Sequence, residues 1–346
     1  MKPIHRICRT LTVLGAALSI AAGSTAAFAN TPKKRSVSIA VGGKSSFYYL
    51  PLTIAERLGY FKEEGLEVEV ADFAGGSKAL QAVVGGSADV VSGAFEHIIN
   101  MQAKGQPFKT FVLQGRSPDV AIGIAKAKFA DYKSPADLKG MTVGVTAPGS
   151  STNMILNHFL VQNGLKPTDV SIIGVGASAG AVAALRAGKI DAISNIDPAI
   201  TMLEASGDLE VIADARTTAG VKALFGGTMP AGCLYAPTAF VSDNPQTVQA
   251  LTNAIVRALK WLQTATPEQV ADTVPSDYLV GDKALYMATF EKVRESYSLD
   301  GLVPEEGAAN ALKMVTNFNS DVSSESIKLA ETYDNRFAQA AQKAAR

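Results

Sequence analysis

Apolar and polar positions along the chain fall into a β-α-β-α-β order that occurs twice. In the first stretch Ser36 to Val41 reads as a short strand, a helical pattern follows up to Gly65, and Glu67 to Val70 alternates as a second strand. Gly75-Gly76-Ser77 opens another helical pattern, and Gly86-Ser87-Ala88-Asp89 leads into the strand Val90-Val91-Ser92. The second stretch repeats the order: Met141 to Val145, a helix ending at Gly164, Val170 to Ile173, the turn Gly176-Ala177-Ser178, a helix, and Gly188-Lys189-Ile190-Asp191 before Ala192 to Ser194. The offsets are 105 for Ser46/Ser151, 99 for Gly65/Gly164 and 102 for Asp89/Asp191. One register with small loop insertions predicts two similar α/β lobes.

Short strands alternating with helices predict parallel sheets, whose ligands bind beyond the carboxyl ends of the strands. Between the repeats, Phe111 to Leu113 and Val120 to Ala125 are strand-like, as is Cys233 to Val241 on the way back. These are expected to be two hinge crossings. After Asp243-Asn244-Pro245 the chain turns helical, with Val248, Leu251, Ile255, Leu259 and Leu262 on one amphipathic face. This tail is expected to pack back on the first lobe.

The first thirty residues change the picture of where this chain works. Lys2, His5, Arg6 and Arg9 precede an uncharged apolar run, Leu11 to Ala22, and Ala27-Phe28-Ala29 is an A-x-A-like cleavage site. That order reads as a secretory signal peptide, residues 1–29, so the mature protein is expected to be exported. The run is shorter than the roughly 20 residues a membrane-spanning helix needs. Cys8 leaves with the signal, so Cys233 has no intramolecular partner. Cys8 also precedes the apolar run rather than following it, so no lipid anchor is expected. Across all 346 residues, 32 basic residues balance 32 acidic ones, which leaves none of the basic excess that nucleic-acid binding requires.

Candidate chemistry concentrates at Gly149-Ser150-Ser151-Thr152, where a strand gives way through a small-residue turn to a helix start. Free backbone N–H groups and the helix dipole make such a start a good anion site, to which three hydroxyls add donors. A plain N-cap role for Ser151 or Thr152 is the alternative. The repeat raises the case, because Gly75-Gly76-Ser77 would bring a facing helix start. Phe47, Tyr48 and Tyr49 cluster after the first strand and offer an aromatic wall, or else core packing. Asn195 and Asp197 follow the last strand of the second repeat at the ligand end, though Asp197 could equally cap the next helix.

Other motifs carry less. Gly176-Ala177-Ser178-Ala179-Gly180 fits a nucleophile elbow, but no histidine follows it as hydrolase chain order requires. Gly174 to Ala179 fits a loose dinucleotide fingerprint, a cofactor that an exported protein seldom meets. Gly43-Lys44-Ser45 lacks the first glycine of a phosphate loop. His97 and His158 are too few for a metal site and read as surface or packing histidines. No cofactor and no metal is expected.

Ile54-Ala55-Glu56-Arg57-Leu58-Gly59-Tyr60-Phe61-Lys62-Glu63-Glu64-Gly65-Leu66-Glu67-Val68, with Gly75-Gly76-Ser77, Gly85 to Val90, Leu138 to Val145 and Pro148 to Thr152, resembles the periplasmic solute-binding proteins of ABC importers. The resemblance is to the nitrate/sulfonate/taurine branch, which also includes proteins for thiamine-pyrimidine precursors. It implies the type II periplasmic binding fold, with lobe one at 30–128 and 230–346 and lobe two at 129–229. It also implies a small organic anion with its head at Gly149 to Thr152 and contacts from Gly76, Ser77 and the turn Ala94 to Glu96. Where pyrimidine-precursor binders tend to carry Cys-Cys-Cys-Phe-Gly, this chain has Leu224-Phe225-Gly226-Gly227-Thr228, which points away from a pyrimidine and puts Thr228 on the candidate list. The implied protein is a non-enzymatic, monomeric periplasmic receptor that delivers a sulfonate-, taurine- or nitrate-like ligand to an inner-membrane permease. A binder or enzyme for a pyrimidine precursor, an aromatic-acid receptor and a signalling sensor are the alternatives.

Overall fold

The computed structural model describes residues 32–344. The expected signal peptide, residues 1–29, lies outside the described residues. The strands are β1 (Ser36–Val41), β2 (Glu67–Asp72), β3 (Val90–Ala94), β4 (Phe108–Leu113), β5 (Val120–Ala125), β6 (Thr142–Val145), β7 (Ser171–Gly174), β8 (Ala192–Ile196), β9 (Leu209–Asp214) and β10 (Gly232–Pro237). They form two five-stranded sheets, ordered β2-β1-β3-β10-β4 and β7-β6-β8-β5-β9.

The two sheets are copies of one plan. Each begins with three parallel strands, β2-β1-β3 and β7-β6-β8, joined by crossover helices. Each then takes an antiparallel strand between its third and last members, β10 in one sheet and β5 in the other. The repeated aspartates explain part of the register. Asp89 Oδ2 accepts the Ser38 N–H at 3.0 Å while its own N–H donates to Ser38 O. Asp191 does the same with Thr142, at 2.9 Å and 2.8 Å. Each aspartate therefore locks the entry of one strand against its parallel neighbour.

β5 corrects the expected lobe boundary. The sequence reading left Val120 to Ala125 within 30–128, but its backbone ladder pairs with β8 and β9, so it belongs to the second sheet. The outgoing crossing is the segment 114–119 and the return lies between Asp214 and Gly232. The two crossing strands thus become the antiparallel member of each sheet.

Helices cover both sheets: α1 (Leu50–Arg57), α2 (Gly76–Val84), α3 (Glu96–Ala103), α4 (Ser151–Gln162), α5 (Ala179–Arg186), α6 (Ala199–Ala205), α7 (Thr218–Phe225), α8 (Pro245–Thr264), α9 (Glu305–Phe318) and α10 (Arg336–Ala344). The apolar face foreseen in α8 is buried at all five positions, from Val248 to Leu262. It packs on α1 and α10, so the tail seats on lobe one. α9 reaches further, packing on α3 of lobe one and on α4 of lobe two.

Candidate functional site

Three helices start at the carboxyl ends of parallel strands and point at one place between the lobes. α2 and α3 follow β2 and β3 of lobe one, and α4 follows β6 of lobe two. Gly75, just before α2, permits the approach: a Cβ there would lie 2.8 Å from Ala147 Cβ and 3.0 Å from Ser150 Oγ of the other lobe. Hydrogen bonds then cross the cleft. The Ser77 N–H donates to Ser150 Oγ at 3.1 Å, Ser77 Oγ donates to Pro148 O at 2.9 Å, and the Phe47 N–H donates to Asp197 O at 3.1 Å. The Ser151 hydroxyl donates to the Glu96 carboxyl. Ser150 occupies the N-cap of α4 but makes no side-chain capping bond to its own helix, so its hydroxyl serves the cleft instead.

These contacts enclose a cavity of about 20 Å³, enough for a single water-sized body. Gly42, Tyr48, Tyr49, Gly76, Ala94 and His97 line it from lobe one, and Thr146, Ser150, Ser151, Thr152 and Ile196 from lobe two. Pro118 and Val120 close it where the chain crosses between the lobes. No lysine or arginine stands among these lining residues. Polarity comes from neutral groups. Tyr48 Oη and His97 Nε2 are buried and find no hydrogen-bond partner among the described residues. Burial, reinforced by Lys104, pushes His97 down to about 4, so its imidazole is neutral at pH 7. Burial holds the Tyr48 phenol well above its usual range. It also raises the Glu96 carboxyl, against the bonds donated by Ser151 and by its own backbone N–H.

The residues singled out from sequence divide into three groups. Tyr48, Gly76, Ala94, Ser150, Ser151 and Thr152 line the cavity, while Ser77 and Glu96 bond across its rim. Gly149 makes the left-handed turn before α4, with φ 79°, and donates its N–H to Asn153 Oδ1. The remaining four are not in the cavity wall. Phe47 turns inward and its ring lies 4.4 Å from that of Tyr286. Asn195 is fully buried, donating to Gly176 O and accepting from the Ile196 N–H. Asp197 accepts from the Thr201 N–H and hydroxyl at the start of α6, and from the buried guanidinium of Arg216. Thr228 lies in a separate groove of about 690 Å³ with Arg116, Lys222 and Pro304.

Several lining residues escaped the sequence reading. His97, read as a surface or packing histidine, is buried and lines the cleft; its place one residue into a helix that follows a strand end was the available signal. Tyr49, in the aromatic cluster read from the sequence, does line the cavity, with its phenol pushed up by burial. Pro118, Val120 and Ile196 reach the cavity only because β5 pairs with β8, a long-range contact that local pattern does not encode. His158 stacks on the Phe225 ring away from the cavity, with centroids 5.5 Å apart. Among the described residues no three histidine, cysteine or acidic side chains cluster as metal ligands.

Comparison with known proteins agrees with this architecture. A solved structure from Bordetella bronchiseptica RB50 is 58% identical, covers 91% of this chain and 99% of that one, and superposes with a TM-score of 0.89. The alkanesulfonate-binding protein SsuA from Xanthomonas axonopodis pv. citri, solved with MOPS bound, is 17% identical over 87% of this chain and 98% of its own, with a TM-score of 0.68. That likeness supports the periplasmic binding protein fold. A Bacillus subtilis (strain 168) protein named as a binding protein, YtlA, is 24% identical over 75% of this chain and 77% of its own. Other relatives are named 4-amino-5-hydroxymethyl-2-methylpyrimidine phosphate synthases, as in Saccharomyces cerevisiae at 23% identity over 66% of this chain and 65% of that protein. A model of the family described as "NMT1/THI5 like" matches residues 46–270, and with the two-lobed fold and its cleft this establishes the chain as a member of the NMT1/THI5-like family.

Proposed function

We propose that this protein is the periplasmic substrate-binding component of an ABC importer, closing its two lobes around a small organic anion and passing it to a membrane permease. The observation that carries the reading is the convergence of α2, α3 and α4 starts on one buried cavity between the lobes. The anion's head sits at Ser151 and Thr152, where the α4 N-terminus supplies N–H groups and dipole, and hydroxyls replace the cations that the wall lacks. Tyr48, Tyr49, Val120 and Ile196 receive the organic part. Entry requires the lobes to part, since the closed cleft admits little more than a water. The crossings at 114–119 and 215–231 act as the hinge, and ligand binding selects the closed state.

Thermal melting of the purified mature protein against alkane and aromatic sulfonates, taurine, nitrate, aromatic carboxylates and pyrimidines tests this. A ligand at 100 times its dissociation constant adds about 2.7 kcal/mol and raises the melting temperature clearly. A shift with an organic anion that is then recovered chemically intact supports the receptor. A shift with pyrimidines alone, or conversion of the bound compound, supports the synthase-like chemistry for which some relatives are named.

A further inference from the structure

Glu96 holds the Ser151 hydroxyl, beside the place proposed for the anion's head. It is the first residue of α3, 1% exposed, and its carboxyl takes the Ser151 hydroxyl at the start of α4. Its charge is felt by Tyr48 from the turn before α1 and by Cys233 and Tyr235 from β10, Ser151 of α4 bonds it directly, and its own helix adds His97, with Lys104 just past the helix end acting on His97. His97 and Tyr48 are nine-tenths buried, carry unpartnered polar atoms and line the same cavity. No lysine or arginine lines it to balance two negative charges. A carboxylate on the rim, held by Ser151 of the wall, and an anion bound at that same hydroxyl would repel each other with little solvent to screen them.

We propose that the cleft takes its ligand as an anion together with one proton, carried by Glu96. This rests on the anion reading of the site given above. The proton comes from solvent and resides on the Glu96 carboxyl. There it donates to Ser151 Oγ, which frees the Ser151 hydroxyl hydrogen to turn from Glu96 to the ligand. No covalent bond other than the transferred O–H changes. Burial raises the pKa of this carboxyl, which favours the step. Because the protonated form binds, affinity is highest at low pH and falls by up to tenfold per unit once pH exceeds the free-state value of Glu96.

Calorimetric titration with ethanesulfonate and benzenesulfonate, which stay ionised throughout, tests the proposal at pH 5.5, 7 and 8.5 in two buffers of different ionisation heat. The wild type is expected to take up close to one proton per ligand at the higher pH values. Glu96→Gln is expected to bind with pH-independent affinity and no uptake, whereas His97→Gln keeps the pH dependence. Affinity independent of pH in the wild type, or a slope that persists in Glu96→Gln and vanishes in His97→Gln, overturns it. Binding without proton uptake would leave the anion receptor standing and remove only the role of Glu96. Failure of both sulfonates to bind the folded wild type would remove the sulfonate site and this proposal with it.

Discussion

Asp119 lies on the outgoing crossing with both carboxyl oxygens buried and unpartnered among the described residues. Its backbone is left-handed, φ 56°. Burial, with Asp197 beside it, holds its carboxyl well above the usual range, even though Arg216 pulls the other way. A raised folded value means that its contribution to stability is fully present below about pH 4, the unfolded value, and is lost as pH rises through the folded one. Asp119→Asn, which tolerates that backbone, should therefore be more stable than wild type at pH 7 by about 1–3 kcal/mol in denaturant unfolding, with the difference closing near pH 4. At the cleft, Ser151→Asp should abolish binding of any anionic ligand while leaving circular dichroism unchanged, because it sets a second carboxylate against Glu96. Unaltered affinity would place the anion elsewhere. Residue roles were only partly legible in the sequence. The hydroxyls at 150–152 declare themselves by a strand, turn and helix start. Phe47, Asn195 and Asp197 share that position at strand ends, yet turn into the core or cap a helix, because position along a strand does not fix which way a side chain faces.

Between elements, the closeness of the lobes depends on small residues at helix starts. Gly75 has an extended backbone open to any residue, so its constraint is purely the space left by Ala147 and Ser150. Gly43 also meets Ala177, with an added Cβ 2.6 Å from Ala177 Cβ, and its φ of 108° favours glycine besides. Gly75→Val should leave each lobe folded but hold the lobes apart. Small-angle scattering should then show a larger radius of gyration, and ligand affinity should drop at least tenfold. An unchanged radius with full affinity would mean that closure does not need this contact. The repeat of elements was readable because Asp89 and Asp191 perform one task in two sheets, fixing strand entry. The sheet membership of β5 was not, since Val120 to Ala125 finds its partners about 70 and 90 residues further along the chain. Loop closure over such distances is decided by the whole fold rather than by local pattern.

At the scale of the molecule, two matching lobes meet over a cleft, and the tail both completes one and touches the other. The amphipathic face of α8 announced the seat on lobe one, but nothing in the pattern of α9 showed that it would contact α4 as well. Ion pairs between Lys292 of the tail and Glu204 at 3.4 Å and Asp214 at 3.9 Å tie the same two bodies together. Opening must therefore loosen surface pairs on the tail side along with the serine contacts of the cleft. Being partly exposed, each pair contributes under about 1 kcal/mol and yields readily to a hinge motion. The most direct test of ligand capture between the lobes is amide hydrogen exchange with and without whichever organic anion raises the melting temperature. Protection confined to residues 75–77, 94–97 and 146–152, together with the crossings, is the expected result. Protection centred on the groove at Thr228 and Pro304, with the α4 start unaffected, would contradict it.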